Sequence, residues 1–193
     1  RLKEELREAI AIKDAPSVVR FPKGSVPQPI EAVKRLPGGV DVLHQSPSKD
    51  VLLVAVGSFA QTALDVAKML ADQGIGATVV DPRWVLPISK DLIDLAAKHR
   101  LVVTLEDGVR VGGFGTRLRQ DLRENEVDTG LNEVGIPAEF LEHAEREEIL
   151  ERLGLTAKSI ARDIVAQVLG SKLPHAKPLE PQSEAQLESD QLK

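Results

Sequence analysis

The sequence predicts an α/β fold: an open, largely parallel sheet flanked by helices, preceded by the tail of a second α/β domain. Three observations carry this. Residues 51–56 form an unbroken apolar run, as expected of a strand buried on both faces of a parallel sheet. Ala63, Val66, Ala67 and Leu70 then recur at helical spacing. The alternation of short apolar strand and amphipathic helix repeats along the chain, which requires right-handed crossovers.

Taken in order, residues 3–12 carry a helical pattern. Residues 17–21, after Pro16, are a short strand candidate. Residues 22–39 are dense in proline and glycine and break regular structure. They read as a functional loop running into a linker, with a domain boundary near Gly39. A strand is expected at 40–45 and the buried strand at 51–56. A helix over 59–73 follows, with Ser58 at its start and Gly74 as its carboxyl-terminal cap. Strand 77–80 leads into a proline-bounded loop at 81–87. Ser89 can cap a helix that runs to about His99. Strand 101–105, a polar glycine-rich turn at 106–113, a helix at 114–124 and a strand at 130–136 come next. Two helices, 146–153 and 157–169, close the pattern. The expected organisation is 1–39 as the end of one domain plus linker, 40–170 as the main domain, and 171–193 as a disordered tail too polar to bury apolar area.

Composition narrows the function. The 193 residues are 42% hydrophobic and 28% charged, with a formal net charge of -5. Such a chain has no overall attraction for nucleic acid or an anionic membrane. The absence of cysteine excludes a disulfide scaffold, thiolate-ligated metals and a thiol nucleophile. The apolar run at 51–56 is far short of the roughly 20 residues that span a bilayer. A cytoplasmic protein is the expectation. Arg1 falls inside an amphipathic helix pattern, which reads as a piece of a longer polypeptide.

Three segments merit weighing as sites. Residues 57–59 join a strand to a helix, where free amides can bind phosphate, and Asp81 ends the next strand. The glycine fingerprint of a dinucleotide fold is absent, however, so an ordinary turn is favoured there. Residues 106–115 lie at the carboxyl end of a parallel strand, where open sheets place sites. Glu106, Asp107, Arg110, Gly112, Gly113 and Gly115 read as an interface or structural loop, with Arg110, next to Glu106 and Asp107, able to make an ion pair at a subunit contact. Residues 20–25 offer Arg20 and Lys23 around Pro22, with Gly24 behind. Two cations and free amides suit a phosphate or carboxylate, although an ordinary surface pair has the same appearance. The histidines, His44, His99, His143 and His175, show no metal spacing.

These stretches together resemble a known family. The run APSVVRFPKG at 15–24 resembles the end of the pyrimidine-binding domain of the 1-deoxy-D-xylulose-5-phosphate synthases, in the transketolase superfamily. VLLVAVGSFAQTALDVAKMLADQGIGATVVDPRWVLPI, HRLVVTLEDGVRVGGFGTRL and VGIPAEFLEHAEREEILERLGLT resemble the carboxyl-terminal domain of transketolases. The resemblance implies condensation of pyruvate with glyceraldehyde 3-phosphate and release of CO2, feeding isoprenoid, thiamine and pyridoxal synthesis. It implies thiamine diphosphate and Mg2+ as cofactors. It also implies a homodimer, joined to the amino-terminal remainder of the same chain.

Lys23 stands where the family places an arginine against the substrate phosphate, and Arg20 is its neighbour in the motif. Lysine binds phosphate as a point charge and gives up bidentate geometry. The family's diphosphate and metal motif, and its cofactor-activating glutamate, lie in regions that this sequence does not contain, so no catalytic residue is expected here. Other superfamily enzymes (a transketolase, or the beta subunit of a 2-oxoacid dehydrogenase) are the alternative, as is a non-catalytic regulatory or dimerisation module.

Overall fold

The computed structural model describes residues 2–21 and 28–170. Lys23 and the tail at 171–193 lie outside the described residues. A six-stranded sheet runs in the order β1-β2-β4-β3-β5-β6. Its strands are β1 (Lys34–Arg35), β2 (Asp41–His44), β3 (Val51–Ala55), β4 (Ala77–Asp81), β5 (Leu101–Val109) and β6 (Gly130–Ile136). β4, β3, β5 and β6 are mutually parallel, while β2 runs antiparallel to β4 and β1 antiparallel to β2. The largely parallel sheet expected from the sequence is therefore present.

Six helices are described: α1 (Leu2–Ala11), α2 (Ala60–Ala71), α3 (Lys90–Ala96), α4 (Phe114–Glu124), α5 (Arg146–Arg152) and α6 (Ala157–Val168). The pleat of β3 sorts them into two layers, because successive side chains point to opposite faces. Val51, Leu53 and Ala55 pack with α2 and α6, whereas Leu52 and Val54 pack with α3 and α4. Crossover handedness explains the division. β3 to β4 steps one way along the sheet, and β4 to β5 and β5 to β6 step back. A right-handed connection then puts α2 on one face and α3 and α4 on the other.

Local chemistry sets the helix ends. Gly74 adopts φ +73° after α2, and its N–H reaches the Ala71 carbonyl at 2.9 Å. Only glycine takes that conformation without strain. Ser89 caps α3 as expected, its hydroxyl accepting from the Asp91 N–H. Leu70 of α2 and Leu118 of α4 are both fully buried. Truncating either to alanine should cost about 2–5 kcal/mol.

Four expectations need correction. Residues 17–21 form no strand; Val18 and Phe21 are 81% and 68% exposed, with no neighbouring strand to bond among the described residues. Residues 106–109 are not a turn but continue β5, because β6 runs alongside and Val109 pairs with Ile136. The segment expected as linker contributes β1, and Ile30, Ala32 and Leu36 pack on the core. Ser58 caps no helix: the single 3-10 turn Gly57–Phe59 and α2 both start without a side-chain cap.

Candidate functional site

Neighbouring strands β3 and β5 send their outgoing chains to opposite faces, β3 to α2 and β5 to α4. That divergence leaves a crevice outside the carboxyl ends of the two strands, where open sheets place their sites. Ser58 and Asp107 meet there, with the Ser58 hydroxyl donating to Asp107 Oδ2 at 3.3 Å. Arg146, which opens α5, donates to the same oxygen through Nη2 at 2.8 Å and Nε at 3.3 Å. The crevice is thus bridged by an ion pair tying β5 to α5. Both partners are substantially exposed, at 43% and 31%, so the pair is worth at most about 1 kcal/mol.

Glu106 points the other way, into the protein, and is 7% exposed. Its carboxylate accepts from the Phe114 N–H at 2.9 Å and the Gly115 N–H at 3.0 Å. Those are amides of the first turn of α4, which have no partner within the helix. Gly113 precedes the helix without a side-chain cap, so Glu106 supplies the cap from β5. A negative charge at a helix start is also favoured by the backbone dipole.

The glycines follow from this packing. A β-carbon on Gly113 would lie 2.5 and 2.6 Å from the Glu106 oxygens and 2.6 Å from the Val109 carbonyl. One on Gly115 would lie 2.5 Å from Thr104 Oγ1 and 2.7 Å from Glu133 Cγ. Gly112 is needed for its φ of +74°. The segment is therefore a strand-to-helix lock, and both Glu106 oxygens already hold backbone N–H groups.

Within this chain Arg110 makes no ion pair with Glu106 or Asp107 among the described residues, and its guanidinium is left for a contact outside it. Asp107 takes Arg146 and Glu106 takes α4. Arg110 is exposed, its N–H reaching the Ile136 carbonyl at 2.8 Å and its own carbonyl accepting from Thr116 at 3.1 Å. Val109 and Val111 beside it are 48% and 72% exposed. Arg20 is also exposed, with no ion pair or hydrogen bond among the described residues.

The carboxylates do not fit a magnesium–diphosphate site. No group of three or more metal-ligating side chains occurs among the described residues. The buried acids are engaged: Asp41 by Arg35 at 2.6 Å, Asp81 by the Arg83 N–H at 3.0 Å, and Asp121 by Arg117 at 2.7 Å. Asp50, beside a hollow of about 220 Å³ at the opposite, amino end of the strands, accepts from Ser48 at 2.6 Å and from the Gly76 N–H at 3.0 Å. These bonds, the Ser48 one foremost, hold its carboxyl below the usual aspartate range. His99 is buried; burial pushes its pKa down, and Nδ1 bonds the Leu95 carbonyl at 2.7 Å. His44 and His143 are exposed.

A second cluster escaped the sequence reading. Glu8 of α1 accepts from Arg83 Nη2 at 2.6 Å and from Trp84 Nε1 at 2.9 Å. The residues lie 75 and 76 positions apart, and no spacing rule could have joined them. The bond to Arg83 holds the Glu8 carboxyl below its ordinary value.

Comparison with known proteins agrees with this architecture. Residues 40–160 match the family described as Transketolase, C-terminal domain. The chain is similar to the 1-deoxy-D-xylulose-5-phosphate synthases of Leifsonia xyli subsp. xyli and Clavibacter sepedonicus. It is 64% identical to each over 179 residues, covering 93% of this chain. It spans only 28% of those relatives' length. Among solved structures, a split-gene transketolase in an inactive beta4 tetramer is 30% identical with a TM-score of 0.64, covering 78% of this chain and 48% of that one. A transketolase mutant, R525L, from Pichia stipitis aligns with a TM-score of 0.54 at 22% identity over 70% of this chain and 18% of its own, a likeness of fold alone. With a largely parallel sheet, its two helical layers and a family match over 40–160, the chain belongs to the transketolase family and carries its C-terminal domain.

Proposed function

We propose that this chain is the carboxyl-terminal part of a 1-deoxy-D-xylulose-5-phosphate synthase. The observation that carries the reading is the 64% identity, over 93% of the chain, to relatives of that name. The intact enzyme is a transferase that joins the two-carbon remainder of pyruvate to glyceraldehyde 3-phosphate. It releases CO2 and forms 1-deoxy-D-xylulose 5-phosphate for isoprenoid, thiamine and pyridoxal synthesis. Thiamine diphosphate and Mg2+ are its cofactors, held by other parts of the enzyme; the buried acids described here are already engaged by arginines or backbone N–H groups. Its setting is the cytoplasm, and no helix among the described residues is long and apolar enough to cross a membrane.

Within this reading, Arg20 and Lys23 meet the phosphate of glyceraldehyde 3-phosphate. Arg20 is exposed and free of competing acids among the described residues, as a phosphate ligand must be before substrate arrives. The enzyme works as a homodimer, and the loop around Arg110, with Val109 and Val111 exposed beside it, takes part in the subunit contact. A substrate assay on the intact enzyme tests the reading. Turnover of pyruvate with glyceraldehyde 3-phosphate supports it. Turnover of ketose phosphates as donors, with none of pyruvate, would make the enzyme a transketolase instead.

A further inference from the structure

Among the described residues, α1 meets the rest of the chain chiefly through polar contacts. Only Ala9 among its residues is buried, while Leu2, Leu6 and Ile10 are 44%, 49% and 60% exposed. Two carboxylates hold α1, Glu4 to the edge strand β1 and Glu8 to the loop after β4. Glu4 meets Arg35 at 3.3 Å, and Arg35 in turn grips Asp41 through two bonds of 2.6 and 3.1 Å. Glu8 divides its two oxygens between Arg83 and Trp84.

The Glu8 contact is the more demanding of the two. The Arg83 side chain is 3% exposed, and its Nε is buried without a hydrogen-bond partner among the described residues. The ion pair to Glu8 is the one its guanidinium makes among those residues. Arg83 also adopts φ +56°, a left-handed conformation that is rare for a residue other than glycine. Its N–H bonded to Asp81 Oδ1 at 3.0 Å helps to hold it there. The loop after β4 is thus shaped to present one arginine and one indole N–H to a single carboxylate on α1.

The reach of the chain connects this contact to substrate. Arg20 follows the end of α1 at Ala11 by nine residues (20 − 11), so it lies within about 30 Å of that end even when fully extended. We propose that Glu8, Arg83 and Trp84 are positioning residues that lock α1 to the loop after β4. They thereby set where the segment carrying Arg20 meets the sugar-phosphate substrate. This rests on the function proposed above, although the lock itself does not.

The test uses the intact enzyme, with Glu8→Gln and Trp84→Phe made separately. Each removes part of the lock and leaves Arg20 in place. Hydrogen exchange is read on the peptide over residues 2–11, with β3 and β5 as the internal control for folding. Kinetics are read as the separate KM values for glyceraldehyde 3-phosphate and pyruvate. The lock predicts faster exchange in 2–11 with β3 and β5 unchanged in both variants. The positioning role predicts a KM for glyceraldehyde 3-phosphate raised about tenfold or more in Glu8→Gln, with that for pyruvate unmoved.

Unchanged exchange in 2–11 in both variants overturns the lock. So does a loss of protection in β3 and β5 by Glu8→Gln that Trp84→Phe shares, since the contact would then be part of general stability. Faster exchange with the two KM values moving equally, or not at all, overturns the positioning role. An intact wild-type enzyme that does not turn over these substrates overturns the proposed function and the positioning role with it, while the exchange data still decide the lock.

Discussion

Glu106 and Phe114 are joined by a buried hydrogen bond of 2.9 Å, from the first amide of α4 to a carboxylate at the end of β5. A second bond, from Gly115 at 3.0 Å, completes the cap. The most unusual stretch of the sequence therefore owes its residue types to a strand-to-helix junction. Glu106→Ala should lower unfolding free energy by about 2–3 kcal/mol, the cost of losing a charged buried acceptor. Glu106→Gln, which retains an acceptor oxygen, should lose less. Urea denaturation of both variants checks the order; equal losses would mean that the oxygen retained by glutamine contributes nothing to the cap.

Gly112 and Gly113 are adjacent but are required for different reasons. Gly113→Ala forces a β-carbon against the Val109 carbonyl, backbone that cannot swing aside, at 2.6 Å. Overpacking of that kind costs about 1–3 kcal/mol. Gly112→Ala meets nothing within 4 Å and should cost only the left-handed penalty, about 1–2 kcal/mol. Melting of the two variants separates the mechanisms, because shortening Glu106 to Asp can relieve only the side-chain part of the Gly113 clash.

Much of this fold was legible in the sequence, and the exceptions share a cause. The apolar run at 51–56 and the helical spacing of Ala63, Val66, Ala67 and Leu70 report burial directly, and β3 and α2 appear where they point. Residues 106–109 are polar and glycine-bearing, so they read as a turn. Their strand conformation comes from β6 alongside and from an inward carboxylate, neither visible in local periodicity. Residues 17–21 show the converse: Val18 and Val19 favour a strand, but propensity makes none without a partner edge. Ser58 bonds Asp107, 49 positions away, rather than a nearby amide. Of the site residues, the strand-end location of Glu106 and Asp107 was readable, whereas their partners α4 and Arg146 were not.

His99 should make stability depend on pH. A carbonyl can only accept, so the Nδ1 bonded to Leu95 carries the proton, and Nε2 is buried without a partner among the described residues. Burial lowers the folded pKa, Lys49 lowers it further, and the Leu95 bond and Asp50 act in the opposite sense. The unfolded chain then binds a proton more readily than the folded one. Stability is complete above the ordinary histidine value of about 6.5 and falls as pH drops from there toward the lower folded value. His99→Gln should flatten the urea midpoint between about pH 7.5 and pH 5. An unchanged slope would assign the pH dependence elsewhere.

Glu8 and Asp50 act in a lower window. Both carboxyls are held below their ordinary values, Glu8 chiefly by Arg83 and Asp50 chiefly by Ser48. Their stabilisation is present above the ordinary carboxylate range, near about pH 4, and is lost as pH falls through the depressed folded values. Acid titration followed by circular dichroism should show this loss, and Asp50→Asn should remove the Asp50 share of it.

In the proposed enzyme, Arg20 and Lys23 are expected to share the contact with the substrate phosphate. Lys23→Ala should raise the KM for glyceraldehyde 3-phosphate about ten- to hundredfold, matching the loss of a charged phosphate contact of roughly 1.5–3 kcal/mol. Arg20→Ala should act in the same direction. Steady-state kinetics with each substrate varied in turn provides the check, and an equal effect on pyruvate would remove the phosphate role.

The most direct measurement is turnover by the intact enzyme of pyruvate labelled at its carboxyl carbon, with thiamine diphosphate and Mg2+ supplied. Labelled CO2 released only when glyceraldehyde 3-phosphate is present, together with 1-deoxy-D-xylulose 5-phosphate as product, is the expected result. No labelled CO2 with that pair, alongside transfer of a two-carbon unit from a ketose phosphate, would contradict it.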